Sequence, residues 1–341
     1  MASRFRESGL LSTSIRDLGL QIAGTLLEPI LAQFRQELQR AGIHRLTPHF
    51  YLSTEWGVPF GSISIAIPFY LARPDLTAVH AERVGHLEGV GRVDLLRYLR
   101  HEMGHVVNYA YRLYDDEQWV KHFGSMTQPY VDDYRPEPFS RRYVRHLPGW
   151  YAQKHPDEDW AETFAVWMTP HLDWRAGYSH WPAALEKLEY CDRTMAVVNA
   201  RDPAVTLTEQ DEDVSDLPGS LDDYYRGAAA AGDAKLPPGL EGALQTIFEE
   251  FDAPEDSPSA VPRRCAAELI LRLEQDLVAN VYRWTGHFPE LTRPLVRHLA
   301  EIARQLNQVY PADRETAVVL ALTTLVTSLA MNHVLRGSYM P

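Results

Sequence analysis

His101, Glu102, Met103, Gly104 and His105 stand in a row. On a helix, residues four apart share a face, so both imidazoles can meet one metal ion. Glu102 then reaches the water on that ion as a general base, the arrangement of a metal-assisted hydrolase. A chain with 14 histidines in 341 residues reaches this spacing by chance in roughly a few per cent of cases. The surrounding helix must therefore carry the argument.

Around residues 93–112 the large apolar side chains are Leu95, Leu96, Leu99, Met103, Val106, Val107 and Ala110. At about 100° per residue they fall in one arc. His101, His105, Asn108 and Arg112, with Tyr98 beside them, fill the other side. This pattern predicts a helix over about 92–114 that buries one stripe and turns both histidines toward a cleft.

Two histidines leave zinc short of ligands, since a catalytic site usually has three protein ligands and a water. A third histidine six residues further on, after an intervening glycine, is absent: positions 108 and 111 are Asn and Tyr. The alternative is a carboxylate from a downstream helix. The segment 155–167 provides Glu158 and Glu162, four apart on one face with Ala161 and Ala165. Trp160, Phe164 and Trp167 occupy the opposite face as core anchors, and the small alanines permit a close approach to the histidine helix. Glu158 is assigned as the third ligand and Glu162 as the acceptor that orients a bound histidine. The competing reading of these carboxylates is a solvated acidic helix start, which Asp157 and Asp159 fit better.

With these residues in place, the chain resembles a bacterial family of zinc-binding metallopeptidases of gluzincin type. The resemblance rests on HEMGH and, some fifty residues later, Trp150-Tyr151-Ala152 and Glu158-Asp159-Trp160-Ala161-Glu162. It covers roughly residues 15–198. The spacing is also similar to that of the anthrax lethal factor peptidase domain, where a tyrosine seven residues before the glutamate ligand lines the active site. By that resemblance Tyr151 is the expected electrophile, donating its phenolic proton to a developing oxyanion.

The elements that must position these groups are legible in outline. Residues 16–41 carry an amphipathic helix pattern ended by Ala41-Gly42. Pro48–Leu52 and Gly61–Phe69 look extended, the second alternating Ile63, Ile65 and Ile67 with serines and alanine as a half-buried strand does. That strand either pairs an extended substrate by β-augmentation or is an ordinary sheet strand. Residues 115–149 read as a long irregular insertion, with Arg141, Arg142 and Arg145 either reading a substrate carboxylate or solvated. Helices are expected near 156–169 and 182–198. The expected class is α+β: a zincin-like metallopeptidase domain over 1–200, an acidic Pro/Gly/Ala-rich linker over 201–238 and an all-α domain over 239–341. Its helices are expected near 239–251, 262–285, 289–309 and 311–336.

Bulk properties bound the function. The net charge is −13, but residues 201–260 hold 15 acidic side chains against Arg201, Arg226 and Lys235, which accounts for −12. The remainder is near neutral and gives no basic surface for nucleic acid. Cys191 and Cys265 make neither a disulfide framework nor a thiolate metal knuckle. The N-terminus shows no apolar leader, and Ala317–Leu335 is broken by Thr and Ser, reading as a buried bundle helix rather than a membrane span. The expectation is a cytoplasmic Zn2+-dependent peptide hydrolase acting on peptide or protein substrates, with no membrane or nucleic-acid partner. The C-terminal helices are a candidate docking module for a protein partner. Two other readings stand beside it: a zinc-dependent hydrolase of non-peptide amides or esters, and a binding protein with a metal site and no catalysis.

Overall fold

The computed structural model of the chain describes residues 9–84, 86–130, 134, 136–229, 239–250 and 262–339. It divides into two compact units, 1–229 and 230–341. In the first, helix α1 (Leu27–Arg40) buries Leu27, Ile30, Leu31, Phe34 and Leu38. The sequence pattern began earlier, at 16, but Gly19 and Gly24 adopt left-handed backbone (φ 63° and 73°) and only a 3-10 turn, Ile15–Leu18, forms there. Strands β1 (His49–Ser53) and β2 (Ser64–Pro68) pair in parallel, His49 opposite Ser64 and Ser53 opposite Pro68. Helix α2 (Pro74–Arg83) precedes the histidine helix α3 (Arg92–Tyr111). After α4 (Glu117–Phe123), the stretch expected to be irregular continues to a 3-10 segment, Pro148–Gln153, and then to the glutamate helix α5 (Pro156–Met168). Helix α6 (Pro182–Val198) packs on α5.

Both faces of β2 are buried, not one. Just before it, Ser62 enters the interior because the segment expected to be linker supplies acceptors: Ser62 Oγ donates to the carbonyls of Leu207 (3.3 Å) and Glu209 (3.1 Å). The Ile63 amide donates to Leu207 and the Val214 amide to Leu52. Helix α7 (Leu221–Ala229) closes the unit by burying Leu221 and Tyr225. Residues 201–229 are thus part of the first unit, held by main-chain bonds and a few apolar anchors despite their charge. The rest of the expected linker, 230–238, lies outside the described residues.

In the second unit, helices α8 (Ala266–Arg272), α9 (Glu274–Thr285), α10 (Pro289–Gln305) and α11 (Glu315–Arg336) surround a core of Leu269, Leu295, Leu299, Leu322 and Val326. The unit is not all-α. Strands β3 (Glu249–Glu250), β4 (Arg263–Cys265) and β5 (Gln308–Pro311) form an antiparallel sheet in the order β3-β5-β4. These strands take residues the periodicity had given to helix ends. Residues 239–251 yield only the short helix Glu241–Gln245 before β3. The stretch Ala312–Arg336 has the length and mean hydropathy of a membrane span. Here it buries one stripe, Val318, Leu322, Val326, Leu329 and Ala330, and leaves Leu320 exposed, so it is less enclosed than the sequence suggested.

Candidate metal centre

Helix α3 is fixed from three sides. Leu95, Leu96, Leu99, Met103, Val106, Val107 and Ala110 are all buried, each of the six larger ones contributing about 1.5–3 kcal/mol as an upper estimate. Arg100, next to His101, is clamped by the buried Glu37 of α1 at 2.9 Å. Helix α5 covers the histidine face. It runs antiparallel to α3, so that His105 meets Asp157 while His101, one turn earlier, meets Glu162. Gly104 and Ala161 mark the point of closest approach, and the Trp160 indole donates to the Gly104 carbonyl at 2.8 Å. The alanine face of α5 thus does what its sequence predicted.

This packing brings three donor atoms together. His101 Nε2 lies 2.9 Å from Glu158 Oε2, His105 Nε2 lies 3.2 Å from His101 Nε2, and His105 Nε2 lies 3.4 Å from Glu158 Oε2. Ligands of a tetrahedral zinc at 2.0–2.1 Å are about 3.3 Å apart, so the triangle fits that ion in size and in its two-nitrogen, one-oxygen chemistry. Each imidazole is oriented from behind. His101 Nδ1 faces Glu162 Oε1 at 3.0 Å, and His105 Nδ1 faces Asp157 Oδ2 at 2.9 Å. Glu162 is held in turn by the amides of His146 (2.6 Å) and Leu147 (2.9 Å). Asn108 donates to Asp157 Oδ1 at 2.7 Å, and the Tyr109 hydroxyl donates to Asp157 Oδ2.

The sequence reading had given Asp157 and Asp159 to a solvated helix start. Both are buried: Asp157 orients His105, and Asp159 pairs with Lys187 at 2.5 Å. The signal for Asp157 was present, because two ligand histidines each need an acceptor and only Glu162 had been offered. Asn108 already stood on the histidine face. Tyr109 and Tyr130 gave no signal that spacing could find.

Electrostatics follow from burial and pairing. Burial opposes the His101 imidazolium, yet hydrogen bonds to Glu158 and Glu162 hold its pKa up at about 9. Burial opposes a charged His105 as well, and Asp157 and Glu158 raise its pKa well above the ordinary value. Glu158 is held well below the carboxylate range against its burial, chiefly by His105 and His101. Glu102 differs: burial pushes its carboxyl up to about 7, with the two histidines only partly offsetting it. A cavity of about 570 Å³ opens over these groups, walled by Glu55–Val58, Met126, Tyr130, Tyr151 and Lys154. The same Glu55–Val58 wall borders a second recess of about 560 Å³ that reaches Phe60, Asp211 and Glu212.

Tyr151 stands at this cavity with its ring edge-on to His101, centroids 5.5 Å apart. A strained turn aims it. Trp150, just before it, has φ 62°, and the Arg145 guanidinium sits 3.6 Å over the Trp150 ring. A left-handed non-glycine residue costs about 1–2 kcal/mol, and that stack helps to hold it. Arg145 is therefore spent on Trp150, while Arg142 pairs with Glu137 at 3.2 Å; neither lines the cavity. Strand β2 does not offer it a free edge either, since Gly57 bridges Ala66 there.

Residues 68–194 match the model of a family described as "Putative zinc-binding metallo-peptidase". That span runs from the end of β2 into α6 and holds both helices of the donor triangle. No curated protein and no solved structure matches the chain.

Proposed function

We propose that this chain is a zinc-dependent peptide hydrolase with a gluzincin-type ligand set, His101, His105 and Glu158. The observation that carries the reading is the buried triangle of three donor atoms, with Glu102 beside it at one cavity. A bound zinc ion would supply Lewis acidity, polarising a carbonyl and lowering the pKa of a water toward neutrality. The protein supplies the rest. Glu102, with a carboxyl near neutral in proton affinity, takes a proton from the attacking water as its oxygen bonds to the scissile carbonyl carbon. When the carbon–nitrogen bond breaks, Glu102 returns that proton to the departing amine. Tyr151 donates its hydroxyl to the carbonyl oxygen as charge builds there. Asp157 and Glu162 keep both imidazoles in the tautomer that points Nε2 inward.

The two adjoining recesses, with Glu55–Val58 between them, offer an extended peptide a path past the centre. This moves the expected substrate edge from β2 to the segment 55–58. The unpaired Cys191 and Cys265 support a cytoplasmic setting.

Glu102→Gln tests the reading. Metal content should be unchanged, while cleavage of a peptide library falls by about 100- to 10,000-fold. Activity surviving that change refutes the proposed base. Turnover of small amides or esters with no peptide cleaved would instead favour the non-peptide hydrolase.

A further inference from the structure

Glu158 turns one oxygen, Oε2, to the two histidines. Its other oxygen, Oε1, accepts the hydroxyl of Tyr130, a cavity-lining residue that no motif marks. A phenol has one proton to give. Tyr130 has committed its own to the carboxylate. Lys154 braces both rings, with Nζ 4.5 Å from the Tyr130 centroid and 5.3 Å from that of Tyr151. The Tyr130 ring also packs against His155, centroids 5.3 Å apart.

A carboxylate with two free oxygens can turn both to an ion. One whose second oxygen already accepts a hydroxyl loses that charge-assisted bond if it does so. We propose that Tyr130 is a positioning residue of the metal centre: it holds Glu158 to one-oxygen coordination, which keeps a ligand position for water. The proposal rests on the metal-centre reading above.

The test uses the full chain loaded with cobalt in place of zinc. Wild type should show the intense visible absorption of four-coordinate cobalt. Tyr130→Phe should keep the wild-type circular dichroism and its cobalt, yet lose that intensity as Glu158 turns both oxygens inward. Its kcat should fall about 10- to 100-fold with KM little changed. Tyr151→Phe, removing a hydroxyl that does not touch Glu158, should lower kcat and leave the cobalt spectrum as it was. A wild-type spectrum in Tyr130→Phe overturns the proposal, as does a wild-type protein that takes up no cobalt. If wild type shows the four-coordinate spectrum but cleaves no peptide, the hydrolase reading fails while the spectra still decide the role of Tyr130.

Discussion

Gly104 sits between the two ligand histidines' turns at the tightest point of the helix pair, and replacing it with alanine should weaken the protein's hold on its metal. A Cβ there would lie 2.7 Å from Ala161 Cα and 3.2 Å from both its Cβ and its carbonyl oxygen. The blocking atoms are two main-chain atoms and a Cβ, none of which can swing away. Carbon atoms rest at about 3.5–4.0 Å, so the helices must part locally by roughly 0.8 Å. In an exposed helix the same change gains about 1 kcal/mol of propensity, whereas overpacking a tight core costs about 1–3 kcal/mol. The net effect on the ion-free protein is a loss of about 0–2 kcal/mol. The centre suffers more, because Glu158 lies one turn from Ala161 and its distances to the histidines are only 2.9 and 3.4 Å. A displacement approaching 1 Å should lower zinc affinity about 10-fold or more. Competition with a chromogenic chelator measures the affinity, and thermal unfolding of the ion-free protein measures the packing. Wild-type affinity together with equal or higher unfolding temperature would show that the helices have room here and that their contact does not set the triangle.

Asp157→Asn should leave the fold intact and lower zinc affinity about 10- to 100-fold, because the charge behind His105 Nδ1 is lost; unchanged affinity in the chelator assay would mean that His105 is oriented by something else. The pH response has a definite sign. Against burial, Glu158 and Glu162 hold His101 at about 9, above its ordinary 6.5. A raised histidine gives stability that is complete below pH 6.5 and lost as pH rises toward 9, so the ion-free protein should unfold at lower temperature across that window. Zinc must displace the same proton. Its affinity should therefore rise over this range, and binding at pH 7 should release at least one proton. Calorimetry in two buffers of different ionisation enthalpy reads that release, and equal heats in both would refute it.

What could be read from the sequence was what a single helix encodes by itself. The spacing of His101 and His105, the apolar arc behind them and the alanine face of α5 all follow from a 3.6-residue period, and each stands in the structure as read. The register between α3 and α5 has no such local signature. Glu162 was paired with a histidine, but the acceptor for His105 was missed, because assigning Asp157 requires knowing that the helices run antiparallel. The fold shows the same division. Serines alternating with isoleucines over 62–67 imply a wet face until Leu207 and Glu209, nearly 150 residues away, take the Ser62 hydroxyl. Acidic composition made 201–229 look like tether, although Val214, Leu221 and Tyr225 anchor it in the core. In the second unit, two- to four-residue strands are too short to leave a period.

The buried charge at the centre supplies a further argument about what these helices are arranged to hold. Glu102, Asp157, Glu158 and Glu162 are all buried around two imidazoles. Ionised carboxylates are costly to bury unless paired and hydrogen-bonded. Tyr109, Asn108, Tyr130 and the amides of His146 and Leu147 satisfy individual oxygens but bring no positive charge. The nearest relief is a proton on the histidines, and the raised pKa values of His101 and His105 express that demand. Two histidine protons lie where one divalent cation would serve both nitrogens at once. A purely structural ion pair would be complete with Asp157 and Glu162 alone. Glu158 and Glu102 add two more carboxyl groups on the cavity side; Glu158 draws on the histidine protons for its charge, and a cation in the triangle would take their place. Glu158→Gln should therefore weaken zinc binding and, because Glu158 helps to hold the histidine protons, also lower the stability of the ion-free protein near neutral pH. Unchanged zinc affinity in the chelator assay would make Glu158 a structural partner of the histidines instead.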